Sequence, residues 1–144
     1  MGNSGFERNL TRAGFGLIFL ALVTGFGIPY FVNPRMALAA HMTGILNGLL
    51  LVALGVVWTQ LALSPGQRRL AKAAALFAAY LNWATSCLAA AWGTSRLTPL
   101  SSPGHAAVPW KENLVQTGQV SLALAVLLAL GLVLYGLRGS SIER

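Results

Sequence analysis

His41 lies in the segment Ala39-Ala40-His41-Met42-Thr43-Gly44-Ile45-Leu46-Asn47-Gly48, at the head of an apolar run that holds no aspartate or glutamate. A neutral imidazole in such surroundings keeps a lone pair that water would otherwise satisfy, so a metal or a metal-bearing cofactor is among its best partners. On a helix, Gly44 and Gly48 fall at i+3 and i+7 from His41 and share its face, which strips the surface beside the ring of side chains. Three readings follow from that spacing and stay open. The glycines can admit a closely packed helix, as a small-x-x-x-small pattern does. They can also admit a flat macrocycle such as haem, with His41 as its axial ligand and the glycines as its floor. The third reading is a different metal, or a purely structural histidine. The second histidine, His105, sits in a loop rich in proline and serine, which disfavours a bis-histidine electron carrier within one chain. A single internal ligand leaves an iron position open, and an open position suits binding and Lewis-acid chemistry.

The other polar residues inside the apolar runs are few: Asn47, Tyr80, Asn82, Thr85, Ser86, Gln116, Thr117 and Gln119. Asn47 and Asn82 are the candidates for orienting a polar substrate atom in a dry pocket, with Tyr80, Trp83 and Trp92 as aromatic walls. The bland alternative is that the two amides join helices by hydrogen bonds. The chain has no aspartate, and its glutamates are Glu7, Glu112 and Glu143. That absence argues against a Ser-His-Asp triad, paired-carboxylate hydrolysis and a proton-coupled exporter, which needs a carboxylate in mid-membrane. Glu112 reads as a first-turn carboxylate facing the helix dipole. Cys87 is the single cysteine, which excludes an internal disulfide and a thiolate-held cluster.

The elements that must position these groups are transmembrane helices. A chain of 144 residues that is 56% hydrophobic and 9% charged, with a mean hydropathy of +0.66, is too apolar for an ordinary soluble domain. Four stretches reach the roughly 20 residues a helix needs to cross hydrocarbon: residues 13–32, 37–61, 73–92 and 114–137. Turns at Asn33-Pro34-Arg35, Ser64 to Arg69 and Gly93 to Trp110 separate them. The expected architecture is an all-α, integral membrane four-helix bundle forming one domain over 1–144. Arg8, Arg12, Arg68, Arg69, Lys72, Arg138 and Arg144 fall on one side, against Arg35, Arg96 and Lys111 on the other. The positive-inside rule then places both termini in the cytoplasm, in a multi-pass cell membrane protein. The net charge of +7 is accounted for by that topology and by anionic lipid, and no nucleic-acid partner is indicated.

Three runs carry a family resemblance: NPRMALAAHMTGILNGLLLVALGVVW, YLNWATSCLAAAWGTS and PWKENLVQTGQVSLALAVLLALGLVLYGLR. Together they resemble the hydroxylaminobenzene mutase family from Phe6 to Arg138 and are more distantly similar to styrene oxide isomerase, with the shared element Ala40, His41, Leu46, Asn47 and Gly48. The resemblance implies a redox-neutral membrane isomerase that moves the hydroxyl of an arylhydroxylamine such as hydroxylaminobenzene to the ortho ring carbon, giving 2-aminophenol. It also implies ferric haem b held by His41, polar assistance from Asn47 and Asn82, and a homotrimer. Where the isomerase uses a tyrosine and an aspartate on the third helix, this chain has Ser86 and Ala78, so epoxide isomerisation is not implied. Two other classes compete with the enzyme: a haem-binding membrane electron carrier or sensor, and a non-enzymatic membrane scaffold or transporter.

Overall fold

The computed structural model describes residues 4–138; Glu143 and Arg144 lie outside the described residues. Four long helices make up the bundle: α1 (Ser4–Gly27), α2 (Pro34–Val57), α3 (Pro65–Trp92) and α4 (Pro109–Leu137). Each has a segment apolar and long enough to cross a membrane. The helices begin earlier than the apolar runs suggest, because their first turns are polar. Pro34, Pro65 and Pro109 occupy first-turn positions, where a missing N–H costs nothing. Asn33 caps α2 by accepting from Met36 N, and Ser64 with Gln67 forms a capping box on α3. Two ends also come sooner than expected, since α1 and α2 tighten into 3-10 turns at Ile28–Tyr30 and Trp58–Gln60.

α1 packs along α2, α2 along α3 and α3 along α4, with no comparable contact between α4 and either α1 or α2. The α1–α2 seam is the tightest. A Cβ on Gly48 would stand 2.7 Å from Gly14 O and 2.5 Å from Ile18 Cγ1, and one on Gly44 2.6 Å from Ala21 Cβ. Only bare backbone fits at that separation. One apolar cluster, built around Leu10, Leu17, Leu51, Trp58 and Ala75, fills the end near the termini. A second, around Met36, Ala37, Ala89, Ala90 and Val115, fills the end near the 93–108 loop. Asn47 and Asn82 lie at the level between the two, whereas Gln116 and Thr117 flank Val115 at the loop end.

That loop is pinned from both sides. Gly93, at φ +66°, ends α3 in the left-handed region. Buried Asn33 donates from Nδ2 to Ser101 O and Ser102 Oγ. Glu112, also buried, accepts the backbone N–H groups of Ser95, Arg96 and Ala107 at 3.0, 3.1 and 3.2 Å. Its carboxylate therefore organises the loop rather than merely facing the helix dipole. His105 belongs to the same arrangement, with Nε2 3.1 Å from Val32 O. At the opposite end Arg68 donates to Trp58 O, Leu61 O and Leu63 O, tying the start of α3 to the segment that leaves α2.

The seam makes a differential prediction. Gly48→Ala should destabilise the protein by about 1–3 kcal/mol through overpacking. Gly131→Ala, where nothing lies within 4 Å of the new Cβ, should be neutral or stabilise by up to about 1 kcal/mol. Thermal unfolding of the two variants in the same detergent checks the contrast.

Candidate active site

His41 stands at the edge of the α1–α2 seam, half-buried. Its Nδ1 is 2.8 Å from Ala21 O. A carbonyl can only accept, so Nδ1 carries the proton and Nε2 keeps the lone pair. Gly25 makes the approach possible, because a Cβ there would lie 2.8 Å from Nδ1 and 2.9 Å from Cε1. No described residue bonds Nε2, and the atom is not among the buried polar atoms left without a partner, so it keeps accessible surface. This is the form in which histidine ligates a metal: one nitrogen fixed by a backbone carbonyl, the other free.

Gly44 and Gly48 do not lie beside an open surface. Both are buried, and the space beside them is filled by Ala21 of α1 and Trp83 of α3 against Gly44 and by Ile18 and Gly14 of α1 against Gly48. The cradle expected for a macrocycle on these two glycines is therefore corrected to a helix-packing seam. The surface beside His41 is instead the outward side of α2, where Leu38, Met42, Leu46 and Leu49 are exposed.

Asn47 and Asn82 do meet. They line one cavity of about 40 Å³ between α2, α3 and α4, walled by Leu50, Leu54, Ala78, Ala79, Leu122, Val126 and Leu130 among others. Asn47 Nδ2 makes one long bond, 3.4 Å, to Ala79 O. The Asn82 amide has no partner among the described residues, and both carboxamides keep donors and acceptors for a guest. The expected aromatic walls are absent from this cavity, because those side chains are engaged elsewhere. Tyr80 donates to Ala13 O, Trp83 donates to Thr24 Oγ1, and Trp92 packs edge-on to Trp110 with ring centroids 5.3 Å apart. The aliphatic residues of α4 that replace them were missed in the sequence, where they look like any lipid-facing leucine or valine.

His41 is not part of this cavity. Six residues separate it from Asn47, roughly 120° round the helix by the shorter way at 100° per residue, and the ring turns to α1 while the amide turns to α3. Among the described residues no three histidine, cysteine, aspartate or glutamate side chains cluster. His41 would thus be a lone protein ligand. A porphyrin tolerates that, since its own nitrogens fill the equatorial positions, whereas a bare metal ion is poorly served.

Comparison with known proteins adds an independent line. The family model described as styrene oxide isomerase matches residues 6–138. The chain is 39% identical over 138 residues to hydroxylaminobenzene mutase HabB of Ectopseudomonas oleovorans, covering 95% of this chain and 84% of that one. It is 35% identical over 129 residues to hydroxylaminobenzene mutase HabA of the same organism, covering 89% and 96%.

The Gly25 contact yields a prediction about the imidazole. Gly25→Ala should push the ring off Ala21 O, costing about 0.5–1.5 kcal/mol for the lost hydrogen bond. Nitrogen-15 spectra of labelled histidine should then show the two His41 tautomers mixing, where the unaltered protein shows a single one protonated at Nδ1.

Proposed function

The chain belongs to the styrene oxide isomerase family, and on that premise we propose that it rearranges an arylhydroxylamine, such as hydroxylaminobenzene, to 2-aminophenol. It is a multi-pass membrane isomerase. The arylhydroxylamine reading is supported by the mutase relatives, and the observation that carries it is the meeting of Asn47 and Asn82 in an otherwise apolar cavity. The cell membrane, with both termini cytoplasmic, is the setting that the cation distribution favours.

In the proposed reaction the N–O bond breaks, a C–O bond forms at the ortho carbon, that carbon loses its proton and the nitrogen gains one. Atoms and electrons balance without a donor or an acceptor. Asn47 and Asn82 hydrogen-bond the migrating oxygen and hold it on the side of the ring where it must return. Leu50, Leu54, Leu122 and Val126 keep bulk water from adding to the electron-poor ring at the wrong carbon. His41 is suited to hold ferric haem b through Nε2, with Ala21 O fixing the ring orientation. Haem bound there would supply a Lewis acid for the hydroxylamine oxygen or nitrogen.

Two features set what the site requires. A dry cavity of about 150 Å³ admits benzene, so the 40 Å³ between the asparagines admits an aryl group only when α4 moves away from α2. α4 packs mainly on α3 and has no comparable contact with α2, so that opening is the one the bundle resists least. His41 turns to α1 and Asn47 to α3, so on this reading a neighbouring copy would complete the site around the imidazole. The homotrimer implied by the resemblance would provide one.

The test is phenylhydroxylamine turnover with identification of the product, alongside an optical spectrum of the purified protein. His41→Ala should remove both the haem absorption band and the rearrangement. A colourless but fully active wild type rules out haem, and a coloured, reversibly reducible protein without 2-aminophenol formation favours the electron carrier.

The asparagines should separate catalysis from stability. Asn47→Leu and Asn82→Leu should each lower kcat by about 10²-fold or more if the amides hold the transition state, with the thermal midpoint unchanged or raised. Equal losses of activity and stability would identify them as helix-joining residues instead.

A further inference from the structure

At the loop end, the outer side of α4 carries a polar stripe that the site above does not use. Arg96, Asn113, Gln116, Thr117, Val120 and Ser121 line a groove of about 430 Å³. At roughly 100° per residue, the α4 positions of this groove lie opposite Val115, Gly118, Leu122 and Ala129, which are turned to α3 or to the asparagine cavity. The stripe therefore points out of the bundle.

Arg96 is held over it. Its Nη1 donates to Asn113 Oδ1 at 2.6 Å and Gln116 Oε1 at 3.1 Å. Nε and Nη2 of Arg96, Nδ2 of Asn113, Nε2 of Gln116 and the Thr117 hydroxyl have no partner among the described residues. Ser121 is satisfied within the helix by Thr117 O. The open donors thus belong to the first turns of α4 alone.

Depth identifies what can meet them. A helix of 29 residues is about 43 Å long and exceeds a 30 Å hydrocarbon core by roughly a turn at each end. Asn113 then lies near the hydrocarbon edge, where lipid ester groups reside, and Gln116 and Thr117 lie within one turn below it. Trp92 and Trp110, with Lys111 Nζ 5.4 and 5.6 Å from their ring centroids, mark the same interfacial level. Donors left open at this depth are costly, and a guanidinium whose Nε–Nη2 edge is free matches a phosphate. Further along the same face, Leu124, Leu127 and Leu128 are exposed.

We propose that this groove binds a phospholipid. Arg96 takes the phosphodiester, Asn113, Gln116 and Thr117 donate to the glycerol ester carbonyls, and an acyl chain follows Leu124, Leu127 and Leu128. A second copy is the weaker occupant, because the open donors end at Thr117, within the first third of α4, and because Arg96, although the Glu112 carboxylate lies near it, keeps Nε and Nη2 without a hydrogen-bond partner among the described residues. The proposal is independent of the isomerase reading.

The full-length protein, stripped of lipid in mild detergent, is titrated with mixed micelles containing phosphatidylglycerol. Retained lipid is counted by native mass spectrometry, and the thermal midpoint is followed in parallel. The wild type should retain lipid and gain thermal stability. Arg96→Gln and, separately, the double variant Gln116→Leu/Thr117→Val should weaken retention by about tenfold, with Arg96→Lys between them and the wild type. If Arg96→Gln fails to fold, the double variant decides alone. Unchanged retention in the variants overturns the proposal. Equal stabilisation by glycerol 3-phosphate would overturn it in favour of a soluble anion site, and a changed protomer number with unaltered lipid retention would overturn it in favour of an interface between copies.

Discussion

The separation between α1 and α2 governs everything placed on them. Gly14, Gly44 and Gly48 let the two backbones meet with no side chain between them, and that closeness brings the Ala21 carbonyl within 2.8 Å of His41 Nδ1. A helix carbonyl already accepts within its own helix, but its second lone pair remains available. If the seam were a methyl group wider, the imidazole would lose its fixed tautomer and its fixed direction. The glycines therefore act on the histidine at one remove, by setting the position of the helix that orients it.

This explains what could and could not be read from the sequence. His41, Gly44 and Gly48 share a helical face, and periodicity reveals as much; whether the bare face receives a macrocycle or a helix depends on a partner that periodicity does not contain. α1 supplied that partner. The four-helix membrane architecture was legible because apolar length alone dictates it. Helix starts were less so, since Pro34, Pro65 and Pro109 head polar first turns that an apolar count discards. The pairing of Asn47 with Asn82 was anticipated from their depth on adjacent helices. The walls of their cavity were not, because Tyr80 and Trp83 form hydrogen bonds to α1 that no local pattern announces, and Leu122 and Val126 carry no mark of their role.

The bundle is graded in rigidity by the same contacts. α1, α2 and α3 are tied by the glycine seam and by the bonds from Tyr80 and Trp83. α4 is fastened at its ends. Glu112 gathers the 93–108 loop at one end, and Gly136 O accepts from Ala62 N at the other, while between them α4 rests mainly on α3. A helix held at both ends, and without a comparable contact to α1 or α2 along its middle, bows away from α2 more readily than it tilts. Its middle is where Leu122 and Val126 close the asparagine cavity, so such bowing would enlarge that cavity.

A division of labour follows from the two sides of α2. One side carries His41, bonded through Nδ1 to α1, and the other carries Asn47, which with Asn82 of α3 lines the cavity that α4 closes. For the reaction proposed above, a lone ligand would hold a cofactor without positioning the migrating atom, and the amides would position that atom without weakening its bond to nitrogen. Both functions would have to act on one substrate, and α2 is the element that carries His41 and Asn47 together. The shorter arc between them is closed by the buried seam of Gly44 and Gly48, which leaves the longer arc, where Met42 and Leu46 are exposed, as the side on which the two halves would have to be joined.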